Sequence, residues 1–318
     1  MTILLESLVD RRGMFQWGAG ALALASSAPR ATMAAGGRSL DLNDPREHLM
    51  VYLKLNASTR PGDKTFLRYS GVTFGAITGT EIKPLYGMEG VVALKVFEPD
   101  GEVARMTFNE VGIFTDLATG EVIDRWANPY LERTVDVWHL RNGPTSLSIN
   151  PRQEQGEGGF RLMRTHGNQP KGFYLPMTIQ GDNLVVAVDV QARRPNPLDP
   201  AVWKLESTGP LVYSEHNTFR AKLADIVNPD LPAVDMFAAW HSHKQWRPWM
   251  LMGQQPGYIY NHLIVSKIAS WTEAPKPVVK YAEKHFPDYM TAPAQWTKGQ
   301  YQSDWDFFKR DRKPISAA

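Results

Sequence analysis

The chain has 318 residues, 43% of them hydrophobic and 21% charged, with a formal net charge of +2. These values describe a globular chain long enough for one large domain or two small ones. A charge so near zero, with no run of Lys or Arg, excludes the electrostatic footprint of a nucleic-acid binder, and the lack of any Cys excludes disulfides, thiolate metal ligands and a cysteine nucleophile.

Arg11-Arg12 precede a small apolar run from Trp17 to Ala28 and the small residues Ala31 to Ala35. A basic segment, an apolar segment too short to span a bilayer and a small-residue cleavage site together make an export signal, and paired arginines point to the route that carries folded proteins. The sequence therefore predicts a twin-arginine-like signal peptide over 1–35, with the export machinery as a partner, and a single β-rich domain over 36–318 that is periplasmic or secreted after cleavage. No later apolar run reaches the length of a membrane span.

From Phe66 to Val190 short β-prone runs alternate with turn residues. Phe66 to Phe74 has period-two alternation, and Val91 to Phe97 leads through Pro99-Asp100-Gly101 into Val103 to Phe114, a strong hairpin signal. Asp116 to Gly120 reads as a turn before Glu121 to Trp126, and Gln180 to Asn183 is the second hairpin signal, before the alternating run Leu184 to Val190. Thr218 to Val227 and Pro277 to His285 have helical spacing. Gln153 to Gly159 and Arg193 to Pro200 read as surface loops, Gly87 to Gly90 and Gly156 to Gly159 as turn material, and Asp304 and Asp306 as a solvated pair in a polar tail. The expected fold is mainly β: an antiparallel meander closed into a barrel-like or curved sheet, with a few peripheral helices.

The densest chemistry lies between Trp240 and Met250. On a strand His241 and His243 project to one face and Trp240 to the other. Imidazole changes charge near neutral pH, so His241 and His243 are candidate general acid and base, with Arg247 as a cationic stabiliser. Trp240, Trp246 and Trp249 make an aromatic wall suited to a ring-bearing ligand. Arg68, Asn109, His139, Tyr213 and His216 are polar groups set among apolar strands that join this lining if the sheet curls, and Asn128, where a strand ends in a turn, is a further candidate for ligand contact. Core packing is the alternative for the tryptophans, and a satisfied structural role for each polar residue.

No dinucleotide fingerprint, phosphate-binding loop, H-E-x-x-H or G-x-S-x-G occurs. The expected activity is therefore an exported, cofactor-independent lyase or isomerase acting on an aromatic or hydrophobic small molecule, a plant-derived phenolic being one concrete form. Two rivals stand beside it. One is a noncatalytic periplasmic carrier of a hydrophobic ligand; the other is a His-ligated metal-dependent hydrolase or oxygenase, which needs a third ligand beside His241 and His243.

Glu110-Val111-Gly112-Ile113-Phe114-Thr115-Asp116, Thr119-Gly120-Glu121-Val122, Trp126-Ala127-Asn128-Pro129-Tyr130 and Val137 to Pro144 together resemble the signature of the domain-of-unknown-function 1838 family. Pro248-Trp249-Met250-Leu251-Met252-Gly253-Gln254-Gln255-Pro256-Gly257 resembles its second signature, and Phe286-Pro287-Asp288-Tyr289 with Ala292-Pro293 extends the likeness toward the C-terminus. The resemblance implies an exported protein with a twin-arginine-like leader and carries no assigned reaction.

Overall fold

The computed structural model describes residues 39–77, 79–152, 161–162 and 172–315. The expected leader and the loop Gln153 to Gly159 lie outside these described residues. Helix α1 (Pro45–Asn56) comes first, followed by strands β1 (Lys64–Ala76), β2 (Lys83–Asp100), β3 (Val103–Thr115), β4 (Arg125–Asn128), β5 (Arg133–Asp136), β6 (Leu140–Ile149), β7 (Arg161–Leu162), β8 (Met177–Gln180), β9 (Asn183–Arg194) and β10 (Leu211–Lys222). Helix α2 (Leu223–Val227), strands β11 (Phe237–Lys244) and β12 (Tyr258–Ile268), and helices α3 (Lys276–His285) and α4 (Asp304–Asp311) complete the order.

The main sheet runs β6-β3-β2-β1-β12-β11-β10-β9-β7, with β8 also on β9. Its pairings are antiparallel, and it curls strongly into a half-barrel, as the sequence predicts. Two meanders, β1 to β3 and β9 to β12, meet where β12 lies beside β1 in unbroken register from Phe66↔Ile268 to Ala76↔Tyr258. Both expected hairpin turns form. The first closes β2 on β3 with Gly101 at φ +63° and the second closes β8 on β9 with Gly181 at φ +62°, a backbone region that costs other residues a Cβ clash.

Alternation fixes what each face does. Toward the concave side β1 directs Leu67 and Tyr69, β3 directs Met106, Phe108 and Glu110, and β10 directs Leu211, Tyr213 and Glu215. The convex side is treated differently along the sheet. Over β1 to β3 it is covered, with Val91 and Ile113 packed with Ile268, Ala274 and Val278 of the segment that leads into and forms α3. Over β10 to β12 it is bare, and His216, His243, His262 and Ile264 are exposed.

Helical spacing at Thr218 to Val227 misleads for most of its length. Thr218 to Lys222 pair residue by residue with β9, from Thr218↔Ala187 to Lys222↔Asn183, and only Leu223 onward is helical. Phe219 and Ala221 are buried while Thr218, Arg220 and Lys222 are exposed, a period of two; pairing with a neighbouring strand overrides a weak local preference. Helix α3 forms where the sequence predicts it. Helix α1, started by Asp44 accepting from the Arg46 N–H at 2.9 Å with Pro45 in the first turn, and helix α4 were not anticipated. Gly87 to Gly90 is not a turn but the interior of β2.

Candidate functional site

The concave side of the sheet encloses a cavity of about 280 Å³. Apolar side chains such as Leu67, Met88, Leu94, Met106 and Phe219 make most of its wall, Tyr52 and Asn56 of α1 and Tyr301, Ser303 and Trp305 of the C-terminal segment add to it, and a group of ionisable residues is set into it.

A hydrogen-bonded chain crosses this wall. The Tyr69 hydroxyl donates to Glu110 Oε1 at 2.9 Å and the Asn142 amide donates to Glu110 Oε2 at 2.6 Å. The Asp304 backbone N–H donates to Asn142 Oδ1 at 2.9 Å, while the Asp304 carboxylate accepts from Trp138 Nε1 at 2.9 Å and from Arg247 Nη1 at 3.4 Å. Arg247 and Asp304 are each only 2% exposed in their side chains. Burial pushes the Asp304 carboxyl up to about 6, against the downward pull of Arg247 and of the Trp138 N–H. Arg247 sits over the Phe114 ring at 4.9 Å, and its Nε is buried without a partner among the described residues.

Two glycines seat Tyr69. Tyr69, Gly90 and Gly112 are consecutive in one cross-strand row of β1, β2 and β3. A Cβ on Gly90 would fall 2.3 Å from the Tyr69 ring and one on Gly112 2.5 Å from its hydroxyl. The absence of side chains at both positions lets the phenol lie across the sheet and reach Glu110. Burial first, and the Glu110 carboxylate second, hold the Tyr69 hydroxyl well above its usual range, so it stays a proton-bearing donor at neutral pH. Trp240 packs edge-on against Tyr69 with ring centroids 5.3 Å apart.

A second charged group lines the same cavity. Lys244 Nζ pairs with Glu215 Oε1 at 2.8 Å and lies 5.3 Å from the centre of Trp240 and 5.8 Å from that of Tyr213. Arg194 lies over Tyr301 at 4.7 Å and Tyr213 at 5.9 Å. Among the described residues Arg194 pairs with no carboxylate, and its Nε is buried without a partner.

Of the residues singled out in the sequence, Arg247, Tyr213 and Trp240 come together in this cavity. His241 and His243 do share one face opposite Ser242, as alternation predicts, but it is the convex face, so the expectation that they share a pocket with Arg247 and Trp240 is corrected. The reason is parity: Trp240 and Lys244 line the concave side and Ser242 shares their face, so His241 and His243 point outward. His216 is displaced in the same way. Asp189, His216, His241 and His262 form one cross-strand row on β9 to β12, with His216 Nδ1 3.0 Å from Asp189 Oδ1 and the His241 and His262 ring centres 4.4 Å apart. The Tyr260 hydroxyl meets His241 Nδ1 at 2.7 Å. Partial burial, then the neighbouring imidazoles, lower the pKa of His241. Among the described residues no group of three or more His, Asp or Glu side chains is arranged to hold a metal ion.

The remaining residues hold the fold. Arg68 is exposed on the convex face, where its Nε donates to Ser266 Oγ at 3.0 Å. Asn128 is buried, donates to the Met250 carbonyl at 2.8 Å and accepts from the Tyr130 N–H at 2.9 Å, which ties the β4 end to the Pro248–Met250 turn. His139 is buried, and its Nδ1 accepts from the Phe114 N–H at 3.1 Å. Trp249 packs among Tyr86, Phe114 and Trp126, and Trp246 donates to the Gln255 carbonyl at 3.2 Å. Asp304 is the opposite of the solvated carboxylate expected: it is buried, whereas Asp306 is exposed.

Tyr69, Glu110, Asn142, Arg194, Lys244 and Tyr301 were not singled out. For Glu110 the signal was present: Ala104, Met106, Phe108, Gly112 and Phe114 share its strand parity, so a carboxylate interrupts an inward apolar row. Glu110 and Asn142 also fall inside the segments that carry the family resemblance. Among the described residues no helix is long and apolar enough to cross a membrane. Neither a curated protein nor a solved structure matches the chain. The model of one family, described as Protein of unknown function (DUF1838), matches residues 62–312, which include the whole hydrogen-bonded chain from Tyr69 to Asp304, and the protein belongs to that family.

Proposed function

We propose that this protein is a cofactor-independent lyase or isomerase that acts on an aromatic or hydrophobic small molecule by proton transfer, with Glu110 as the general base. One observation carries the reading: a carboxylate buried in the wall of a largely apolar cavity and held at both oxygens by Tyr69 and Asn142. Burying a carboxylate costs several kcal/mol unless it is fully paired. A container for an apolar ligand has no need of it.

The chemistry follows from the donors. Each Glu110 oxygen keeps a lone pair beyond the one engaged, so the carboxylate can take a proton from a carbon acid or a hydroxyl of a bound substrate. Negative charge left on the substrate is stabilised by the Lys244 ammonium and the Arg247 guanidinium, which line the same cavity. Tyr69 fixes the orientation of the base. Trp240, Tyr213 and the apolar wall supply the body of the binding site. Catalysis by His241 and His243 is not retained, because they face away from this cavity. The leader pattern at Arg11-Arg12 supports a periplasmic site of action.

The test is solvent exchange. Aromatic and hydrophobic acids, alcohols and ketones are incubated with the protein in heavy water and followed by mass spectrometry. The reading predicts protein-dependent deuterium uptake, or conversion, of at least one compound, with Glu110→Gln lowering the rate about 10² to 10⁴ fold while binding persists. Compounds that bind and never exchange or convert would instead favour the carrier.

A further inference from the structure

The charged residues that line the cavity are Glu110, Arg194, Glu215, Lys244 and Arg247. Lys244 pairs with Glu215, and Arg247 pairs with Asp304, which lies outside the lining, so the wall holds three cations and two carboxylates. The third cation, Arg194, has no carboxylate partner among the described residues. Arg194 lies over the rings of Tyr301 and Tyr213, and its Nε is buried and unpartnered. The charges of Arg194 and Glu110 both act on the Tyr301 hydroxyl.

We propose that Arg194 is a carboxylate-binding residue and that the molecule taken by this cavity is a hydrophobic monocarboxylic acid. Its acid group lies on the Arg194 guanidinium beside Tyr213 and Tyr301, and its apolar body runs along the wall toward Glu110. A guanidinium stacked on aromatic rings is pre-organised, and it presents its donors as a planar fork that matches a carboxylate. The bound acid neutralises Arg194, which leaves Glu110 free to act at a neutral part of the ligand. This assignment names the substrate class of the proposed reaction and rests on that site being the functional one.

The probes are 2-naphthylacetate and its neutral primary amide, 2-naphthylacetamide, titrated into the full chain by calorimetry and by tryptophan fluorescence. The wild-type protein is expected to bind the acid about 10-fold or more tightly than the amide, the scale of a charge-assisted hydrogen bond. Arg194→Gln removes that preference and leaves amide binding within about threefold, whereas Arg194→Lys keeps part of it. Glu110→Gln keeps the acid preference and loses only exchange or turnover, so failure of the base and failure of the anion subsite give different results. If Arg194→Gln does not fold, Arg194→Lys and Tyr301→Phe carry the comparison, each expected to weaken acid binding more than amide binding. Equal wild-type affinity for the two probes, no binding of either, or an acid preference that survives Arg194→Gln overturns the proposal.

Discussion

His139 illustrates what a buried imidazole contributes to a fold. Its Nδ1 accepts from the Phe114 N–H, which requires the neutral ring, and burial depresses its pKa to about 4. A group whose folded pKa lies below its unfolded value stabilises the fold above the unfolded pKa near 6.5 and loses that share as pH falls through 4, a contribution of about 3 kcal/mol. Asp304 has the opposite sign: its pKa is raised to about 6, so its share is present below 3.8 and is lost as pH rises through 6. The two oppose each other between pH 4 and 6, and the wild-type curve shows only their sum. His139→Asn, with an amide oxygen as acceptor near the Nδ1 position, is therefore expected to lose less stability between pH 7 and 4 than the wild type. Urea unfolding at a series of pH values reads this, and parallel curves for the two proteins would show that His139 is not held neutral.

Strand parity governs the elements, and the Tyr69 slot is where it is tightest. Gly112→Ala places a methyl group 2.5 Å from the Tyr69 hydroxyl and 3.0 Å from Leu140 Cδ2, and overpacking of this kind costs about 1–3 kcal/mol. Tyr69→Phe removes the oxygen in the way, so the double variant is expected to lose less stability than the two single losses added together. Strict additivity in thermal unfolding would mean that Tyr69 has already left the slot. The same parity explains what was legible. Leu184 to Val190 and Val103 to Phe114 showed their alternation openly, and the hairpin turns announced themselves by Pro, Asp and Gly. Glu110 was passed over because a single carboxylate in an apolar strand carries no motif. Arg194 and Lys244 were illegible for another reason: they lie far apart in sequence and are brought to one cavity only by the curl of the sheet. Asp304 sits in a stretch whose polarity suits a solvated tail, and only its pairing with Arg247, 57 positions away, shows otherwise.

At the scale of the molecule the sheet has two working surfaces, a concave one with a charged cavity and a convex one with four of the chain's eight histidines on β10 to β12. Ala at both His241 and His243 is expected to leave ligand binding in the cavity intact, and Ala at the exposed His243 alone to change stability by less than about 0.5 kcal/mol. Export is a separate claim, carried by the leader alone: Lys at both Arg11 and Arg12 is expected to leave the protein in the cytoplasm at its uncleaved mass, and undiminished cleavage would remove the twin-arginine route. The central claim is that the chemistry belongs to the concave cavity. Its most direct test is the exchange or turnover rate of Glu110→Gln beside that of the His241→Ala, His243→Ala double variant, on any compound the heavy-water screen identifies. The expected result is a loss of about 10² to 10⁴ fold for the first and a wild-type rate for the second; full activity in Glu110→Gln with loss in the double variant would contradict it.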